Sequence, residues 1–133
     1  MKLALIVQGS SYNRLHLMTT LIATSVAMGW EASALLTYDA LRRYVTDTMD
    51  EAKPSLDDPE INQIYADSIH HGTIPSIQDL LDQCKRNGSV KIYGCSQSVM
   101  MLRLTPEQQQ KLDGVIGYTT FLTSAMDARL IVI

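Results

Sequence analysis

The chain is short of most features that place a protein in a class at first sight. Two cysteines in 133 residues are too few for the disulfide framework of a small secreted domain, and they form no Cys-x-x-Cys pair for dithiol exchange. No apolar run is long enough for a bilayer span; the longest, residues 15–30, is broken by His16, Thr19, Thr20, Thr24 and Ser25. Basic residues are in deficit, 11 Lys and Arg against 14 Asp and Glu for a net charge of −3, so the positive footprint of a nucleic-acid binder is missing. The three histidines, His16, His70 and His71, match no zinc spacing with the cysteines, and neither a metal nor a cofactor is expected. No internal repeat or low-complexity tract breaks the chain. With no signal-peptide pattern, these deficits point to a cytoplasmic protein in reducing surroundings, without membrane or nucleic-acid partners. Charged residues are also scarce, 19% against 46% hydrophobic, where about 25% charged is usual. Part of the surface is therefore expected to be covered by further copies of the chain, as a homo-oligomer.

What is present is an alternation of strand and helix patterns over a single domain, residues 1–133, long enough to bury a core without disulfides or a structural metal. Lys2-Leu3-Ala4-Leu5-Ile6-Val7-Gln8 is a nearly continuous apolar run ending at Gly9, the pattern of a strand buried on both faces. After a loop over residues 9–12, Asn13 is a cap for a helix in which Leu15, Met18, Ile22 and Val26 share a face and Gly29 supplies the stop. Residues 32–37 read as a second strand and 38–45 as a short helix or turn. Residues 47–60 hold six acids, Asp47, Asp50, Glu51, Asp57, Asp58 and Glu60, against Lys53 alone, with Pro54 and Pro59. Their spacing fits no EF-hand loop, and the segment reads as a solvated excursion. A short helix follows over residues 61–70, in a register the pattern leaves open. From Ser76 to Gly88 the apolar residues Ile77, Leu80, Leu81 and Cys84 follow helical spacing, which makes Cys84 a core residue. Thr105-Pro106-Glu107-Gln108 combines a cap, a first-turn proline and a reciprocal capping partner for a helix ending near Gly114. Residues 115–118 form a strand, 119–127 a helix, and 130–133 a final buried strand. Five strand segments alternating with helices predict an α/β fold with a mainly parallel sheet and helices on both faces.

The second cysteine is the residue with chemistry to offer. Cys95 follows the strand run Val90-Lys91-Ile92-Tyr93-Gly94 and precedes Ser96, Gln97 and Ser98. The carboxyl end of a parallel strand is where ligands bind and where backbone N–H groups favour negative charge, so a thiol there is biased toward the reactive thiolate. Buried free cysteine is more often a small hydrophobe; the polar neighbours of Cys95 argue for reactivity. Ser98 stands where a dithiol motif needs its second cysteine, and Met101 stands where a phosphatase loop needs arginine. No histidine is placed as a general base. What remains is a thiol suited to carrying covalent cargo, and sulfur held as a persulfide is the natural one. Ser98 and Gln97 are placed either to hydrogen-bond the thiolate or persulfide or to cap the following helix. Gly9, Ser10 and Ser11 form a possible anion or ligand loop after the first strand, although turn formation alone accounts for those residue types. Two other functions fit these residues: a non-catalytic oligomeric binding or regulatory module in which Cys95 is incidental, and a small-ligand binder using the loop over residues 9–12.

Lys91-Ile92-Tyr93-Gly94-Cys95-Ser96-Gln97-Ser98-Val99-Met100-Met101-Leu102, followed by Gly117-Tyr118-Thr119-Thr120-Phe121-Leu122 and a terminal hydrophobic strand, resembles the DsrE/DsrF-like sulfur-relay family, in the branch with a Cys-x-x-Ser signature. The similarity runs from Leu3-Ala4-Leu5-Ile6-Val7 through the last strand. It implies a flavodoxin-like three-layer sandwich, homo-oligomeric assembly, sulfur carried on the cysteine matching Cys95, and transfer between donor and acceptor proteins, with Ser98 as the signature serine. The chain would then be a sulfur carrier or sulfurtransferase component. Arg103 departs from the pattern, standing where many relatives have glycine. Its spacing from the signature fits a place at the mouth of the Cys95 site, where a positive charge would favour the thiolate. It fits equally a solvated arginine preceding the Thr105 cap.

Overall fold

In the computed structural model, which describes residues 1–133, the apolar runs form five strands: β1 (Lys2–Val7), β2 (Glu31–Leu36), β3 (Val90–Cys95), β4 (Gly114–Ile116) and β5 (Arg129–Val132). All neighbouring pairs are parallel, in the order β4-β3-β2-β1-β5. Between them lie helices α1 (Tyr12–Ala27), α2 (Tyr38–Val45), α3 (Pro59–His70), α4 (Ile77–Asn87), α5 (Ser96–Met101), α6 (Pro106–Gln109) and α7 (Tyr118–Ser124), with a 3-10 turn at Met49–Glu51. This is the expected three-layer α/β sandwich around a five-stranded parallel sheet. No helix is long and apolar enough to cross a membrane.

The strand order makes the two faces unequal. From β1 to β4 the chain steps in one direction, and right-handed crossovers put every connecting helix of that series on the same face. The return from β4 to β5 crosses the sheet the other way, so α7 alone lands on the opposite face. Strand alternation sorts the side chains accordingly. Leu3, Leu5, Val7, Ala34, Leu36 and Ile92 belong to a core of 23 buried residues with α1, α2 and α4, whereas Ala4, Leu35 and Cys95 join only Phe121 and Ala125 in a second core of five. One face is thick and the other thin. On the thin side a hollow of 210 Å³ remains over the sheet, lined in part by Lys91, Tyr93, Ser124 and Ala128.

The α4 reading holds: the Ser76 hydroxyl accepts the Asp79 N–H at 3.1 Å, and Ile77, Leu81 and Cys84 are buried. The Thr105 capping box also forms, but its helix is a single turn, because the chain must descend from Gln110 to enter β4 at Gly114. Three expectations are corrected. The terminal strand is not buried: all four residues of β5 are exposed, Val132 by 63%, because β5 is an edge strand with only β1 beside it and α7 stops at Ser124. Asn13 does not cap α1, which begins at Tyr12 after Ser11; its side-chain oxygen instead accepts the Ser55 N–H at 2.8 Å. The acidic segment is not simply solvated. Met49 and Ala52 are buried, the Asp50 carboxylate accepts the N–H groups of Ile77 (2.7 Å) and Gln78 (3.1 Å) at the start of α4, Asp58 caps α3, and Asp47 pairs with Lys111. Helix N-termini leave unsatisfied N–H groups with partial positive charge, and Asp50 and Asp58 serve that need.

Candidate functional site

Cys95 is the last residue of β3 and occupies the N-cap position of α5. Its strand position sends the side chain to the thin face, among Leu35, Phe121 and Ala125, and pairs it in register with Ile116 of β4. The polar neighbours do not leave the thiol open to solvent: Cys95 is 1% exposed. The cause is α7, whose first residue, Tyr118, comes two positions after Ile116 and lies across the end of β3.

Tyr118 is the neighbour that matters chemically. Burial pushes its phenol pKa up, and the nearby Cys95 sulfur and Tyr38 phenol push the same way. Tyr38 opens α2 with a φ of 48°, a left-handed backbone that costs a non-glycine residue about 1–2 kcal/mol. Part of what holds it there is Ser98, whose buried hydroxyl accepts the Tyr38 N–H at 3.1 Å. Ser98 thus clamps α5 to the β2–α2 turn. Gln97 is exposed and its side chain makes no hydrogen bond within the protein, so it does not cap α5. The comparison cysteine, Cys84, is buried against α1 and the sheet, and burial pushes its thiol pKa up, away from reactivity at neutral pH. Both thiols are free.

Arg103 does not sit at the mouth of the site. It follows Leu102, the C-cap of α5, at the end of that helix opposite Cys95. Six helical residues separate the two ends by about 9 Å. Its φ of 52° is the left-handed conformation that favours glycine just past a helix. Gly9, Ser10 and Ser11 lie at the end of β1, on the same rim of the sheet as Cys95. The Arg14 side chain lies over Gly9 in space that a Cβ would fill, Ser11 has a buried hydroxyl without a partner, and Ser10 lines a separate cavity. No three His, Cys, Asp or Glu side chains converge as a metal site.

The structure therefore brings Cys95, Tyr118, Tyr38 and Ser98 together and leaves Gln97, Arg103 and the Gly9–Ser11 loop outside. Sequence reasoning passed over the two tyrosines. A signal was available: both follow a strand directly at the carboxyl rim that holds Cys95, where side chains of different βα turns meet.

No protein-family model matches the sequence, and neither does any curated protein. Among solved structures, a protein of unknown function from Methanobacterium thermoautotrophicum is similar in fold, with a TM-score of 0.60 at 8% sequence identity over 99% of this chain and 98% of that one.

Proposed function

We propose that the protein is a carrier of sulfane sulfur, loaded on Cys95 and unloaded to a partner protein in the cytoplasm. The observation that supports this reading is the place of Cys95 at the carboxyl rim of the sheet, at the N-terminus of α5 and beneath α7, with Tyr118 of α7 close to its sulfur. A phenol there is a donor to a thiolate or persulfide and a removable cover over it. In the loading step the Cys95 thiolate attacks the outer sulfur of a donor persulfide, R–S–SH; the S–S bond breaks, Cys95 becomes the persulfide, and R–S⁻ leaves. Unloading repeats the exchange with an acceptor thiolate, so no net oxidant is needed.

Mass spectrometry after incubation of the native protein with polysulfide tests this. The expected result is a mass gain of one sulfur atom confined to Cys95 and absent in Cys95→Ser. With Tyr118→Ala, iodoacetamide should reach Cys95 several-fold faster, because the cover is gone. No adduct in native protein, or one on Cys84 alone, removes the basis of the proposal. The burial of Cys95 favours a second reading, a non-catalytic oligomeric module in which this thiol is a packing residue, and the same measurement separates the two.

Assembly as a homo-oligomer belongs to the proposal. It is supported by Leu122 and Met126 at the end of α7 and by Leu130, Ile131 and Val132 on β5, all exposed beside an unpaired strand edge of the kind that folded proteins usually cover. Light scattering at micromolar concentration should give a multiple of 14.8 kDa; a monomer throughout that range argues against it.

A further inference from the structure

A second cavity, of 440 Å³, opens at the carboxyl ends of β1 and β2, and no hydrophobic side chain lines it. One wall is the outward face of α2, where Asp39, Arg42, Arg43 and Thr46 follow helical spacing opposite the buried Ala40, Leu41, Tyr44 and Val45. A polar face on an amphipathic helix is ordinary. Here the face is walled in by Ser10 from the loop after β1 and by Thr48 and Glu51 from the 3-10 segment.

The charges in this cavity are balanced, yet they do not satisfy one another. Asp39 stands three and four residues before Arg42 and Arg43, the spacing at which helical ion pairs form, and Glu51 faces the same space. None of these four side chains takes part in any of the protein's salt bridges. Arg43 is held differently: one guanidinium N–H donates to the Thr48 carbonyl at 3.0 Å, leaving its other N–H groups for a ligand. The hydroxyls can be assigned as well. Thr46 donates its single proton to the Arg42 carbonyl at 2.7 Å, so in the 2.8 Å contact between Thr46 and Thr48 the donor must be Thr48. The Thr48 oxygen then offers only lone pairs to the cavity. One group of side chains, Arg42 and Arg43, only donates; the other, Asp39, Glu51 and Thr48, only accepts.

We propose that this cavity binds a small zwitterion, with a phosphate-like oxyanion held by Arg42 and Arg43 and an ammonium group held by Asp39, Glu51 and Thr48. Two guanidinium groups match a doubly charged oxyanion better than a single carboxylate. The absence of any apolar wall selects a free molecule over a lipid headgroup, because nothing in the cavity would take an acyl chain. The site contains neither Cys95 nor Tyr118 and does not depend on the sulfur-carrier reading.

Calorimetric titration of the purified protein with phosphoethanolamine tests the proposal, with inorganic phosphate and ethanolamine as the two half-ligands. Binding of phosphoethanolamine is expected in a range up to roughly 5 mM, and each half-ligand should bind about tenfold more weakly or worse. Arg42→Ala and Glu51→Gln should each weaken phosphoethanolamine binding about tenfold. Both side chains are exposed and make no side-chain hydrogen bond within the protein, so circular dichroism should show both variants folded. No binding of phosphoethanolamine, equal binding of phosphate alone, or indifference to both substitutions would overturn the proposal. Sedimentation with phosphatidylethanolamine vesicles should leave the protein in the supernatant; co-sedimentation would overturn the choice of a free molecule.

Discussion

Phe121→Ala is expected to cost about 3–5 kcal/mol of stability, a large part of the total for a domain of this size. Phe121 is fully buried and is the largest of the five buried members of the thin-face core. Its ring meets Tyr93 edge-on at 6.4 Å between centroids. Neighbours on the thick face can shift toward a cavity and share its cost. On the thin face only α7 is available to move, and it is seven residues long. Urea denaturation measures the loss directly. Because α7 also covers Cys95, the same variant should label faster with iodoacetamide under native conditions. A loss below about 1 kcal/mol would show that α7 contributes little to holding the sheet.

Gly94→Ala is expected to be the second large effect, about 1–3 kcal/mol. Gly94 precedes Cys95 and faces the thick core, where an added Cβ would lie 2.6 Å from the Leu112 side chain and 3.3 Å from those of Leu41 and Val99. Strand propensity would favour alanine at this position, so a loss would have to come from packing. Gly114→Ala is the matched control. A Cβ there meets only Tyr93, at 3.4 Å, which is ordinary contact, and its cost should fall within about 0.5 kcal/mol. Equal losses from both substitutions would contradict the close approach at Gly94. Thermal unfolding of the two variants side by side decides it.

The parts of the fold that were legible in the sequence are those where local pattern and tertiary burial agree. The run from Lys2 to Val7 is buried and reads as a buried strand; Ile77, Leu81 and Cys84 face the core as their spacing requires. Prediction failed where a residue's role is set by a segment far along the chain. Leu130, Ile131 and Val132 are as apolar as any core strand, and only the strand order, which no local pattern reveals, puts them at an edge. Asn13 has the chemistry of a cap, but Ser55 comes within reach of it. The register of α3 could not be fixed because the helix buries no residue at all; Ile61, Ile64 and Tyr65 remain exposed. The candidate site was legible as Cys95 with its strand and as Ser98, whose hydroxyl turned out to hold the Tyr38 N–H. Its covering residue was not, since Tyr118 arrives through the pairing of β3 with β4, and the short sequence distance that suggested Arg103 is taken up by the length of α5.

The pairing of β1 with β5 also bears on synthesis. β1 is completed by β5, so one edge of β1 stays open until residues 129–132 have been made. In a nascent chain ending before Tyr118, β1 to β4 and α1 to α6 are present but the helix of the thin face is not. A sheet formed at that stage would show Ala4, Leu35, Tyr93 and Cys95 to solvent, with the thiol uncovered. Until α7 arrives, that bare sheet face is a surface on which a chaperone, or another unfinished chain, can bind.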